Sequence, residues 1–271
     1  GHCKGCTDLF TLHSFLWKTF AIFPSRVEQV SKRIVPFFIS FIQKQYAPLE
    51  WKSLTPPNLF QDFEFTTKIS VEHNKHLPPK QLQSLLNDYL ILFGSFKNSR
   101  TLKYSTMLQQ IHEVLLSFGN TETQKGALKC LFTWKLDYLN PYRDSLERLT
   151  DDKTTREEMT SFNITSESED IKQEHRPGLS RILIYILHSK LISIHRRSKI
   201  HRHTILSYLG GLDVSELEPL FRLLLQPFDC YFQCLEKPET KLYDVLDNHN
   251  SIHRAVQKIS LSRKSKVLVL L

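Results

Sequence analysis

"SRTLKYSTMLQQIHEVLLSFGNTETQKGALKCLFTWKLDYL", residues 99–139, decides the fold class. In its first half Leu102, Met107, Leu108, Ile111, Leu115 and Phe118 recur every three or four positions, which is one buried stripe on a helix of 3.6 residues per turn. Gly119 stands where a left-handed residue closes a helix. Thr121 and Gln124 follow at capping-box spacing, and Ala127, Leu128, Leu131, Phe132, Leu136 and Leu139 make a second stripe. Two amphipathic helices separated by so short a turn fold back on each other, so the stretch predicts an antiparallel helix pair.

The same pattern extends in both directions. Helical stripes run over 7–23 and 25–46, with Pro24 between them, and over 79–96, opened by the prolines of "LPPKQL" in the first turn. Towards the C-terminus, Leu179, Ile182, Leu183, Ile186, Leu187, Leu191 and Ile194 line one face of a further helix, placing His188 and Lys190 near its outer edge. Gly210-Gly211 stops another helix. Asp213 and Glu216 cap the next, which buries Leu217, Leu220, Phe221, Leu224 and Leu225. No comparable segment alternates with period two. The chain therefore reads as all-α, a HEAT/armadillo-like α-solenoid of antiparallel helix pairs in units of about forty residues. Self-similarity between units is weak, which leaves an irregular all-α domain as the alternative.

Composition divides the chain into three. Residues 1–150 read as a helical repeat array. Residues 151–176 contain "DDKTTREEMTSFNITSESEDIKQE", with eight acids against three bases, and read as a short helix fading into an acidic flexible linker, a solvated connector or a phosphorylatable arm. Residues 177–271 read as the array continued, with a divergent C-terminal part.

At 271 residues and 41% hydrophobic content the chain is long enough for one large or two ordinary domains with a sizeable core. A net charge of +8 suits a polyanionic partner such as nucleic acid without requiring one. Five cysteines are too few and too odd in number for a secreted disulfide framework, which points to a reducing compartment. The start "GHCKGCTDLF", without methionine or signal pattern, and the apolar end "KVLVLL" suggest an excerpt of a longer polypeptide or an incomplete gene model. "LSRILIYILHSKLISI" is interrupted by Arg181, His188 and Lys190 and is too short to span a bilayer, so no membrane segment is expected.

Motifs that carry chemistry are scarce. The glycines form neither G-x-x-x-x-G-K nor G-x-G-x-x-G, leaving no loop of those kinds to cradle a phosphate. "HEVLL" begins like a zinc-protease helix, but Leu116 occupies the second histidine's place, so His112 and Glu113 read as a surface pair. Cys3 and Cys6 have C-x-x-C spacing but supply only half a zinc site, and Cys230 and Cys234 read as core. No catalytic residue, cofactor, metal or small-molecule substrate is expected, and the chain is not read as an enzyme.

"HSKLISIHRRSKIHRH", residues 188–203, packs four histidines and five lysine or arginine residues together with no acid among them. His195, His201 and His203 could approach a metal, yet the surrounding cations would repel it. Lys190, Arg196, Arg197, Lys199 and Arg202 at a turn between helices suit phosphate oxygens instead. An exposed basic turn with no ligand is the competing reading, since no aromatic residue interleaves for base stacking.

"QKGALKCLFTWKLDYLNPYRDSLERLTDDKTTREEMTSF", residues 124–162, resembles the signature block of the down-regulated-in-metastasis family of small-subunit processome components. "EHRPGLSRILIYILHSKL", "ILSYLGGLDVSELEPLFRLLLQPF" and the N-terminal "FLWKTFAIFPSRVEQVSKRIVPFFISFIQ" resemble further elements of that family in the same order, so the similarity covers most of residues 10–230. In place of the family's lysine- and glycine-rich loop this chain has "SIHRRSKIHRH". The resemblance implies a piece of a very long α-helical solenoid in the nucleus and nucleolus. It implies a non-catalytic scaffold holding pre-ribosomal RNA, the U3 snoRNA-containing particle and other processome proteins. A protein-binding α-solenoid adaptor gripping extended acidic peptides is the alternative function.

Overall fold

The computed structural model describes residues 9–46, 77–118, 120–193 and 199–225. Regular structure there is helical throughout: α1 (Leu9–Ile22), α2 (Pro24–Gln29), α3 (Ser31–Phe41, continued by a π turn over Ile42–Tyr46), α4 (Pro79–Phe93), α5 (Ser105–Phe118), α6 (Thr121–Phe132), α7 (Arg143–Thr150), α8 (Thr155–Ser161), α9 (Arg176–Ser193), α10 (Lys199–Leu209) and α11 (Glu218–Leu225). No strand occurs among the described residues.

The decisive stretch forms the expected hairpin of α5 and α6, with its ends shifted. Asn120 rather than Thr121 is the N-cap of α6, its side chain accepting from the Thr123 amide at 2.9 Å. Gln124, freed from capping, turns inward and donates to the carbonyls of Leu116 (2.7 Å) and Ile186 (3.0 Å), so one of the last carbonyls of α5 finds a partner. Helix α6 stops at Phe132 instead of running to Leu139, because Lys135 adopts φ 50° and the Trp134 indole donates to Ser105 Oγ at 2.9 Å. Gly119 lies outside the described residues.

Neighbouring helices pack in a repeating register. Helices α4 and α6 run side by side in the same direction: Gln83 donates to Thr123 Oγ1 at 2.6 Å, Cys130 Sγ approaches the Leu90 carbonyl at 3.3 Å, and Gly94 lies against the stem of Lys129. Gly126 permits this approach, for a Cβ there would sit 3.0 Å from Leu90 Cβ. Helices α5 and α9 also share a direction, with Glu113 bound to Arg181 at 3.2 Å and His188 Nδ1 3.2 Å from the Ser117 carbonyl. At the N-terminal end, Ser14 of α1 donates to Asp88 of α4 at 2.6 Å, and Phe38 of α3 packs against Tyr89 and Phe93. One buried apolar cluster runs from Trp17 to Leu224.

Three expectations are corrected. The acidic stretch 151–176 is not a bare connector: it contains α8 and buries Met159, Phe162, Ile164 and Ile171. Its acids face outward or are paired, as in Arg148 Nε to Glu158 at 2.6 Å, so counting charges hid four anchors. His112 and Glu113 are not on the surface. His112 is fully buried among the rings of Phe38, Phe93 and Trp134, because α5 is covered by α6 on one side and α9 on the other. In α11 the capping box of Asp213 and Glu216 forms as expected, but on a preceding 3-10 turn (Val214–Leu217), and Leu220, Leu223 and Leu224 are buried while Phe221 is 52% exposed.

Candidate nucleic-acid interface

The basic stretch 188–203 begins inside the core. Helix α9 is apolar almost all round, with Leu179, Ile182, Leu183, Ile184, Ile186, Leu187 and Leu191 each buried, and the polar residues near its C-terminal end are buried with them. Lys190 is 4% exposed. Its ammonium donates to the Thr150 carbonyl at 3.0 Å and to the Asp152 carboxylate at 2.5 Å. The outer-edge position expected for His188 and Lys190 is therefore wrong. A stripe identifies the face that must be covered but not whether the opposite face is covered too.

Lys190 belongs to a polar knot that ties three elements. Asp152 also accepts from Thr121 Oγ1 at 2.8 Å, and Lys125 donates to Asp151 at 2.7 Å, so the turn after α7 is pinned to the first turn of α6 and to α9. With its charge matched and its protons taken, Lys190 is a structural cation and not a phosphate ligand.

The remaining candidates lie beyond it. Arg196 and Arg197 fall outside the described residues, and of Lys199 only the backbone, at the start of α10, is described. Arg202 is half-buried on α10 and His203 is exposed. His201 is half-buried, and burial first, then the nearby positive charge of Lys190, lowers its pKa, while Asp152 acts in the opposite sense. The stretch thus has a carboxylate within electrostatic reach that its own sequence lacks. Among the described residues no three His, Cys, Asp or Glu side chains converge to hold a metal ion, and Cys3, Cys6, Cys230 and Cys234 lie outside them. No described helix is long and apolar enough to cross a membrane.

Sequence reasoning missed the second ionic centre entirely. Arg176, in "HRPG", is buried at the start of α9 and satisfies its guanidinium in full: two bonds to Glu216 (3.1 and 2.9 Å), one to the Thr165 carbonyl (3.1 Å) and one to the Ile164 carbonyl (3.0 Å). Glu216 in turn accepts from the Asp213 amide at 3.0 Å. A buried arginine with an acid forty positions away has no local signature. This fork holds the segment after α8, the start of α9 and the turn before α11 together and offers no open coordination to a substrate.

A family model described as U3 small nucleolar RNA-associated protein 20, N-terminal, matches residues 80–271, more than half of the chain. Among curated proteins, the chain is similar to U3 small nucleolar RNA-associated protein 20 of Schizosaccharomyces pombe, 29% identical over 119 residues that cover 42% of this chain and 5% of that one. It is likewise similar to U3 small nucleolar RNA-associated protein 20 of Saccharomyces cerevisiae, 32% identical over 119 residues, 44% of this chain and 5% of that one. The matching region thus spans about a twentieth of the length of these curated relatives.

Proposed function

This chain belongs to the U3 small nucleolar RNA-associated protein 20 family, and from that membership we propose that it is a non-catalytic helical-repeat scaffold of the small-subunit processome. In this reading it supports pre-rRNA processing and 18S rRNA maturation in the nucleolus. It does so by holding pre-ribosomal RNA, the U3 snoRNA-containing particle and neighbouring processome proteins on the surfaces of stacked helix pairs. The match over residues 80–271 carries the reading. The register supports the architecture: α4 beside α6 and α5 beside α9, each pair codirectional, is the relation that a HEAT- or armadillo-type solenoid repeats from unit to unit.

Within that scaffold the turn between α9 and α10 contacts RNA phosphate through Arg196, Arg197, Lys199 and Arg202, with Lys190 removed from the set by its burial. Neutralising those four to glutamine flattens the dependence of RNA affinity on salt by a slope of up to about 3, at about 0.7 per single-strand phosphate contact. An unchanged slope leaves this turn with a structural role only. A second reading, an adaptor that grips extended peptides, is favoured by the exposed apolar side chains Leu12, Phe15, Ile22 and Phe23 in and after α1. Parallel capture on immobilised RNA and on an acidic peptide separates the two, because only the first binds a scaffold of RNA.

A further inference from the structure

We propose that the turns at the C-terminal ends of α4 and α6 form a cationic ridge, built from Lys97, Arg100, Lys103, Lys129, Lys135 and Arg143, that binds a nucleic-acid phosphate backbone. The two turns are distant in sequence but stitched into one edge. The Ser99 amide donates to the Thr133 carbonyl at 3.4 Å, Thr133 Oγ1 bonds Ser99 Oγ at 2.6 Å, and Trp134 Nε1 bonds Ser105 Oγ at 2.9 Å. Arg100 crosses the seam and donates to the carbonyls of Trp134 (2.5 Å) and Lys135 (2.8 Å). Lys129 lies on Gly94, with its Cγ 3.2 Å from where a Cβ would stand.

All six cations are exposed, and none forms an ion pair with a carboxylate among the described residues. Elsewhere the cations are matched: Lys125 with Asp151, Arg148 with Glu158, Arg176 with Glu216, Arg181 with Glu113, Lys190 with Asp152. The acids at this edge are Asp137, Asp144 and Glu28. The Glu28 carboxylate is occupied by the amides of Lys97 (3.1 Å) and Asn98 (2.9 Å). An excess of fixed positive charge on an ordered edge is the footprint of a polyanion.

The geometry favours nucleic acid over an acidic protein. An acidic peptide needs apolar sockets between the charges, and here Phe96, Leu102, Phe132 and Trp134 are all buried. Base stacking is not offered either, since Lys103 lies 4.7 Å over the ring of Tyr104 and Arg143 lies 4.2 Å over that of Phe132. Backbone phosphate, bound without regard to sequence, is the ligand such an edge fits. The ridge is independent of the α9–α10 turn: it sits at the Phe132 end of α6 and Lys190 at the Thr121 end, about 18 Å apart at 1.5 Å per residue.

The test uses the full 271-residue chain and its Lys97→Gln/Lys129→Gln/Lys135→Gln variant, with an unstructured uridylate oligonucleotide as probe. These three lysines are exposed and bear no ion pair, so helical circular dichroism and melting temperature stay at wild-type values. The expected result is a slope of log affinity against log salt that is shallower by about 2, from three contacts at about 0.7 each. An unchanged slope overturns the proposal, as does a wild-type chain that fails to bind the oligonucleotide at low salt. Binding of a polyglutamate peptide is followed in parallel, and loss of peptide binding with the RNA slope intact assigns the edge to a protein and overturns it too. An effect seen only in the Arg196→Gln/Arg197→Gln variant also overturns the ridge while leaving the α9–α10 reading standing.

Discussion

Arg176 is the residue whose removal the fold tolerates least. Replacing it with methionine leaves the Glu216 carboxylate buried without its partner and orphans two carbonyls, so a loss of about 3–5 kcal/mol is expected in a denaturant melt. The double variant Arg176→Met/Glu216→Leu recovers a large part of that loss, because the penalty lies mainly in the uncompensated charge. His112 gives a different signature. Complete burial, only partly offset by the Leu108 carbonyl, pushes its pKa down to about 3, while in the unfolded chain it stays near its usual value of about 6.5. Between those limits the unfolded state binds the extra proton, so stability falls as pH drops below about 6.5 and continues to fall towards 3. At pH 4.5 the contribution is about 2–3 kcal/mol. His112→Phe removes that part of the pH dependence, checked by comparing denaturant melts of both proteins at pH 7 and 4.5. Equal pH sensitivity in the two would show that the imidazole is not enclosed. Neither residue's role was legible in the sequence: His112 read as surface because periodicity is blind to a helix covered on more than one side, and Arg176 because its partner is remote in the chain.

At the scale of elements, much of the fold was legible. The stripes of α5, α6 and α9 and the capping box before α11 can be read directly, since burial against a neighbour imposes the 3.6-residue period. Ends were not, because a cap depends on which side chain is released to do other work: Gln124 went to Leu116 and Ile186, and Asn120 took the cap. Charge counting failed for 151–176, where Met159, Phe162, Ile164 and Ile171 anchor what the acids advertise as solvent-exposed. The spacing of α4 and α6 rests on Gly126. A valine there drives a branched side chain into Leu90, and a loss of about 1–3 kcal/mol, read as a lowered melting temperature, is expected. A melting temperature that rises instead would mean that the two helices are free to move apart. Of the expected phosphate ligands, Lys190 turned out to bridge α9 to the turn after α7, so Lys190→Met lowers stability without altering the salt dependence of RNA binding.

For the whole molecule, codirectional neighbours and one unbroken core from Trp17 to Leu224 describe a body whose interior is given over to packing and whose edges are left for contact. Charge is distributed accordingly: matched where helices meet, unmatched along the ridge from Lys97 to Arg143. Family membership was legible from the tryptophan-to-"DDK" block, whereas the ridge was not, since its six cations are scattered over nearly fifty positions and meet only through the Ser99–Thr133 seam. The central claim is that this body holds pre-ribosomal RNA without acting on it. Ultraviolet crosslinking of the full-length protein in nuclear extract, with sequencing of the RNA attached to peptides of this region, tests it most directly. The account predicts pre-ribosomal RNA joined to peptides from the ridge and the α9–α10 turn; protein crosslinks with no RNA on either would contradict it.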